Sequence, residues 1–129
     1  MTFVRKGRGM ERKNILVVDD NPITLRELNS MLSDEYNVTV ATSGLQAMTS
    51  IGKHRPDLII LDYEMPVCDG QKTLEMIRSD EELKDMPVIF LTGVNEQKHL
   101  ESVLKLNPAG YLLKPADKDK LLSLISLTL

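Results

Sequence analysis

A single cysteine, Cys68, is present among 129 residues, which excludes any disulfide framework within the chain and fits a reducing, cytoplasmic setting. Long apolar runs are missing as well. Leu58 to Leu61 is among the longest, far short of the roughly 20 residues that cross a bilayer. The basic N-terminus is not followed by an apolar segment, so no secretion signal is read there. There is no internal repeat, low-complexity tract or linker, and no GxxxxGK[ST] phosphate loop. The body also lacks an excess of positive charge. Residues 14–129 hold eleven Lys or Arg against eighteen Asp or Glu, a net −7, which argues against direct binding to nucleic acid. The compensating charge lies in residues 1–13, at net +4, which read as a solvated, flexible extension.

What remains is the composition of one ordinary globular domain, 42% hydrophobic and 27% charged, large enough to bury a core unaided. Short apolar runs alternate with longer amphipathic ones. Strands are expected at Asn14 to Asp19, Asn37 to Ala41, Asp57 to Asp62, Pro87 to Leu91 and Ala109 to Leu113. Between and after them fall five helices. The first opens at Asn21-Pro22 as N-cap and first helical residue and buries Leu25, Leu28 and Leu32. The second starts with a capping-box pattern at Ser43 and Gln46 and carries Ala47, Met48 and Ile51. The third follows Asp69-Gly70 with Leu74 and Ile77, the fourth runs from about Glu96 to Leu106, and the last contains Leu121, Leu124 and Ile125. Continuous apolar strands require cover on both faces, and strand–helix alternation implies parallel strands joined by right-handed crossovers. The expected fold is a doubly wound α/β sheet of five parallel strands in the order 2-1-3-4-5.

In such a sheet ligands bind beyond the carboxyl ends of the strands, and the unusual polar residues fall there. Strand one ends at Asp19-Asp20, strand three at Asp62, strand four at Thr92 and strand five at Lys114. Strands one and three are neighbours in this order, so three carboxylates converge. They repel one another unless a cation neutralises them, and Mg²⁺ suits a site with few carboxylates and several waters. Lys114 adds a fixed positive charge. The result is a pocket for a small tetrahedral anion beside a carboxylate nucleophile. Each residue alone has an ordinary explanation as a cap, turn or surface group. Five of the right types on four strand ends favour function.

The segments VVDDNP at 17–22, LDYEMPVCDG at 61–70, LTG at 91–93 and YLLKP at 111–115 together resemble a response-regulator receiver domain of two-component signalling, over residues 14–129. The resemblance implies a flavodoxin-like fold with Asp62 as phosphoacceptor. Asp20 would bind Mg²⁺ directly, Asp19 would assist, and the backbone carbonyl of Glu64 would complete the protein ligands. Thr92 would be the switch hydroxyl, Lys114 the partner of the phosphoryl group, and Tyr111 the aromatic that changes rotamer. Lys114-Pro115 matches a cis-peptide position. The donor would be a phosphohistidine on a sensor histidine kinase or phosphotransfer protein. The face made by helix four, strand five and helix five would change shape, and it is a candidate homodimer surface. Glu64 and Val94 occupy positions that tune phosphoryl lifetime in this family.

Three other functions compete. A pseudo-receiver would use the fold for docking without phosphorylation, but all the site residues are present. A phosphatase with an aspartyl-phosphate intermediate would want a D-x-D motif, where this chain has Asp62-Tyr63-Glu64. An FMN carrier would want a Ser/Thr/Gly-rich loop after strand one, where Asp20-Asn21-Pro22 stands. No output domain is read after helix five. His54 and His99 lack partner patterns and read as surface residues, Cys68 as an inert loop thiol, Met10, Met31, Met48 and Met76 as packing or terminal residues, and Asp80 to Glu82 as a solvated helix end.

Overall fold

The computed structural model describes residues 12–65, 69–93 and 100–129. Five parallel strands form one sheet in the order β2-β1-β3-β4-β5. They are β1 (Asn14–Val18), β2 (Asn37–Ala41), β3 (Leu58–Asp62), β4 (Val88–Thr92) and β5 (Gly110–Leu113). The helices are α1 (Pro22–Leu32), α2 (Gly44–Lys53), α3 (Gly70–Ser79), α4 (Leu100–Leu104) and α5 (Lys118–Thr128). Among the described residues no helix is long and apolar enough to cross a membrane.

Alternation along the central strands feeds two cores. Ile15, Val17, Leu58, Ile60, Ile89 and Leu91 pack with Leu25, Leu28 and Leu32 of α1 and Leu121 and Ile125 of α5. Leu16, Val18, Ile59, Leu61, Val88 and Phe90 pack on the other face with α2, α3 and Val103 of α4. This explains the unbroken apolar runs: β3 and β4 are buried at every residue. The two edge strands depart from that expectation. β2 keeps only Ala41 buried, with Val40 47% exposed, and β5 alternates half-buried with exposed residues. Edge strands have one neighbour, and the helices cover the middle of the sheet first.

Helix starts follow the chemistry of their caps. Asn21 Oδ1 accepts from Ile23 N at 2.9 Å, with Pro22 in the first turn. Ser43 Oγ accepts from Gln46 N at 3.0 Å. The reciprocal half of the expected capping box is displaced by one residue, because Gln46 Oε1 takes the backbone N–H of Thr42, not that of Ser43. Asp69 and Asp117 cap α3 and α5 through Lys72 N and Lys120 N, each at 2.9 Å. The expected start of helix four at Glu96 lies outside the described residues, as do Met10, Val94, His99, Cys68 and most of the basic extension. In α5, Leu121 is buried, Leu122 and Leu124 are half-buried, and Leu127 is 86% exposed. His54 is exposed and caps the end of α2.

Candidate functional site

The order of the strands makes the site. β1 pairs with β3, and β3 with β4, so Asp19, the residue after β1, lies beside Asp62 and Thr92, the last residues of β3 and β4. Asp19 is held at the β2 side by its own N–H, which donates to Ala41 O at 3.1 Å. Its Oδ1 accepts from Asn21 N at 2.9 Å. Asn21 therefore both caps α1 and orients Asp19, whereas the sequence reading assigned it the cap alone.

One carboxylate oxygen from each of Asp19, Asp20 and Asp62 lies within 4.8 Å of the others. Asp19 and Asp62 are buried and Asp20 is exposed. Lys114 bridges the two buried acids, with Nζ 2.9 Å from Asp19 Oδ2 and 2.9 Å from Asp62 Oδ1. Glu64 N donates to the same Asp62 Oδ1 at a long 3.4 Å. Lys114 reaches the site because its own N–H donates to Thr92 O at 2.8 Å, continuing the β4–β5 ladder by one residue, and the following peptide bond to Pro115 is cis. These groups border an open cleft of about 530 Å³ that Gly93 and Met65 also line.

Burial pushes the Asp62 carboxyl up from 3.8 to about 6. The hydrogen bond from Lys114 opposes this, and the charge of Asp19 adds to it. Burial also depresses the Lys114 ammonium, but its close attraction to the Asp19 and Asp62 carboxylates outweighs that and leaves it raised. The site is thus poorer in positive charge than its carboxylates require.

The donor set fits a hard divalent cation. In an octahedron with metal–oxygen bonds near 2.1 Å, ligand oxygens lie about 3 to 4 Å apart, a spacing the three carboxylates reach with small adjustments. Among the described residues the buried Asp19 Oδ2 accepts no well-aligned hydrogen bond, its contact being the ion pair with Lys114. All-oxygen donors and a surplus of anionic charge select Mg²⁺ or a similar ion over softer metals.

Thr92 is buried at 4% exposure, while Tyr111, opposite Phe90 in the β4–β5 register, is 43% exposed. Gly70 is a residue whose role the sequence did not reveal. A Cβ there would lie 2.5 Å from Asp62 O and 2.7 Å from Tyr63 Cα. Its N–H donates to Tyr63 O at 2.8 Å, so α3 starts directly against the backbone of the phosphoacceptor candidate. The Asp-Gly pair was visible as a helix start; the close approach to β3 was not.

A model of the response regulator receiver domain family matches residues 15–126. The probable transcriptional regulator ycf29 of Porphyra purpurea is 36% identical over 113 residues, covering 87% of this chain and 54% of that protein. A protein-glutamate methylesterase/protein-glutamine glutaminase of Trichodesmium erythraeum is 39% identical over 113 residues, covering 84% of this chain and 32% of that protein. The chain therefore spans about half or less of the length of these relatives. The crystallised chemotaxis protein CheY4 of Vibrio cholerae superposes with a TM-score of 0.85 at 28% identity, covering 92% of this chain and 99% of that one.

Proposed function

The chain belongs to the response regulator receiver domain family of two-component signalling, and from that premise we propose that it is a switch whose Asp62 accepts a phosphoryl group from a phosphohistidine. The observation that carries this reading is the convergence of Asp19, Asp20 and Asp62 with a lysine bridging the two buried acids.

The chemistry follows from the charges. Asp62 is anionic at neutral pH yet more basic than an ordinary carboxylate, a state that favours nucleophilic attack. A carboxylate lone pair attacks phosphorus in line with the phosphorus–nitrogen bond, and the electron pair of that bond returns to the donor imidazole. Lys114 is placed to hold a phosphoryl oxygen once the new acyl phosphate forms, because it already lies 2.9 Å from Asp62 Oδ1. Asp19, Asp20, Asp62 and the Glu64 carbonyl would hold Mg²⁺, which when bound screens carboxylate from phosphoryl charge. The product carries more charge and more acceptor oxygens than a carboxylate.

The response lies in the neighbouring strands. Thr92 turns its hydroxyl to the phosphoryl group, and Tyr111 moves into the space this opens. The face of α4, β5 and α5 then differs between the two states, and a partner or second copy distinguishes them. Exposed Leu104, Tyr111, Leu113 and Leu127 make that face suitable for such contact. The donor is a sensor histidine kinase or phosphotransfer protein in the cytoplasm. The domain, residues 14–129, modifies only itself, loses the group slowly, and turns over no external substrate.

Incubation with a small acyl phosphate and Mg²⁺ tests the reading. Wild type is expected to gain one phosphoryl group and to lose the gain with chelator. Absence of labelling with Mg²⁺ present would favour the pseudo-receiver reading instead.

A further inference from the structure

At the opposite end of the sheet from Asp62, Arg78 in the last turn of α3 joins three separate segments. Its Nε donates to Leu106 O at 2.8 Å, Nη1 to Met86 O at 2.8 Å and Nη2 to Asn107 O at 3.1 Å. Met86 lies two residues before β4. Leu106 and Asn107 lie two and three residues past α4, where carbonyls lack helical partners and need an outside donor. The chain turns sharply there: Asn107 has φ 56°, a left-handed conformation that asparagine tolerates better than most residues. Two residues later Ala109 N donates to Val88 O at 2.7 Å and the β5 ladder begins.

Met86 is buried in the core and Leu106 is partly buried against it, so side-chain packing and the Arg78 bonds make this junction together. An open cleft of about 550 Å³ lies against Arg78, Met86, Leu106 and Asn107. The guanidinium is half-buried and remains cationic, so its bonds to carbonyls are charge-assisted, about twice as strong as neutral ones. No other residue type supplies three donors in one rigid plane at this geometry.

Resting on the switch reading above, we infer that Arg78 is a positioning residue that clasps the carboxyl end of α4 to the start of β4, so that α4 pivots there when Asp62 is phosphorylated. The end at Leu100 moves and the turn at Leu106–Asn107 stays fixed. The clasp turns a local change at the site into a tilt of α4 against β5, where a helix free at both ends would shift or fray.

Residue-resolved amide hydrogen exchange on the full chain tests this, with and without a small acyl phosphate and Mg²⁺. The relevant amides are Lys105, Leu106, Asn107 and Ala109, whose acceptors are Glu101, Val103, Leu104 and Val88. In wild type, phosphorylation is expected to alter exchange at Val103 and Leu104 while leaving these four within about twofold. Arg78→Gln should speed the four by at least about tenfold before phosphorylation and leave β4 protection intact. Arg78→Lys, which keeps charge but not the planar fork, should restore part of the protection and serves if the Gln variant does not fold. Wild-type exchange in Arg78→Gln, or equal phosphorylation effects along all of α4 in wild type, would overturn the inference. If wild type takes up no phosphoryl group, the switch reading fails and the pivot with it, while the unphosphorylated comparison still decides the clasp.

Discussion

Replacing Asp62 by asparagine should make the metal-free protein more stable at neutral and alkaline pH, although it removes one partner of an ion pair. The fold raises the Asp62 pKa from 3.8 to about 6, chiefly by burial. A folded pKa above the unfolded one means that the folded state prefers the protonated acid. Its favourable contribution is complete below about pH 3.8 and is lost as pH rises through about 6. Above that, the ionised carboxylate costs about 3 kcal/mol relative to its unfolded state, at 1.36 kcal/mol per unit. Asparagine has the same shape and can still accept a hydrogen bond, and Lys114 retains Asp19 at 2.9 Å. That cost already includes the Lys114–Asp62 attraction, and an amide fits the site less well than a protonated carboxyl, leaving a net stabilisation of about 1–3 kcal/mol. For a domain of this size that is a rise in Tm of roughly 4–12 °C. Urea unfolding of wild type and Asp62→Asn in chelator, from about pH 8 to about pH 4, reads the difference directly. The gap should close on acidification through about pH 6. An Asp62→Asn protein less stable than wild type at about pH 8, or a gap independent of pH, would refute the reasoning.

Three further outcomes follow from the same geometry. Lys114→Met leaves two buried carboxylates without their shared cation and should cost about 2–3 kcal/mol at neutral pH, a loss that shrinks below about pH 6 in denaturant titrations. Gly70→Ala places a methyl against Asp62 O and should lower stability by about 1–3 kcal/mol; by shifting the β3 end it should also slow labelling by an acyl phosphate, measured against a Gly52→Ala control that meets nothing within 4 Å. Mg²⁺ at a hundredfold excess over its Kd should stabilise wild type by about 2.7 kcal/mol in thermal melts, and Asp20→Asn, which alters an exposed side chain, should abolish most of that gain without destabilising the metal-free fold.

The strands and their polar ends were legible because both are written along single elements, while the strand order came from the doubly wound fold that strand–helix alternation implies. An apolar run such as Leu58 to Leu61 that ends in Asp62 states its burial and its exit point together. That order, with parallel pairing, then places Asp19 beside Asp62. What could not be read are contacts between elements that no periodicity records. Lys114 was legible as a nearby charge, but its equal distance to Asp19 and Asp62 depends on how far β5 extends past β4. Gly70 was visible as a helix start, yet its closeness to the Asp62 backbone depends on the packing of α3 against β3. Arg78 gave no signal at all, since a lone arginine in a last helical turn is ordinary. The weak cover of β2 and β5 follows from their place at the sheet edges, and in β2 the polar Asn37 and Thr39 agree with it.

The most direct test of the central claim is localisation of the phosphoryl group. The chain is incubated with a phosphohistidine-bearing donor and Mg²⁺, digested at low temperature and sequenced by mass spectrometry. The account predicts one phosphoryl group, on Asp62, and none on the Asp62→Asn chain. A phosphoryl group on any other residue, or equal labelling of Asp62→Asn, would contradict it.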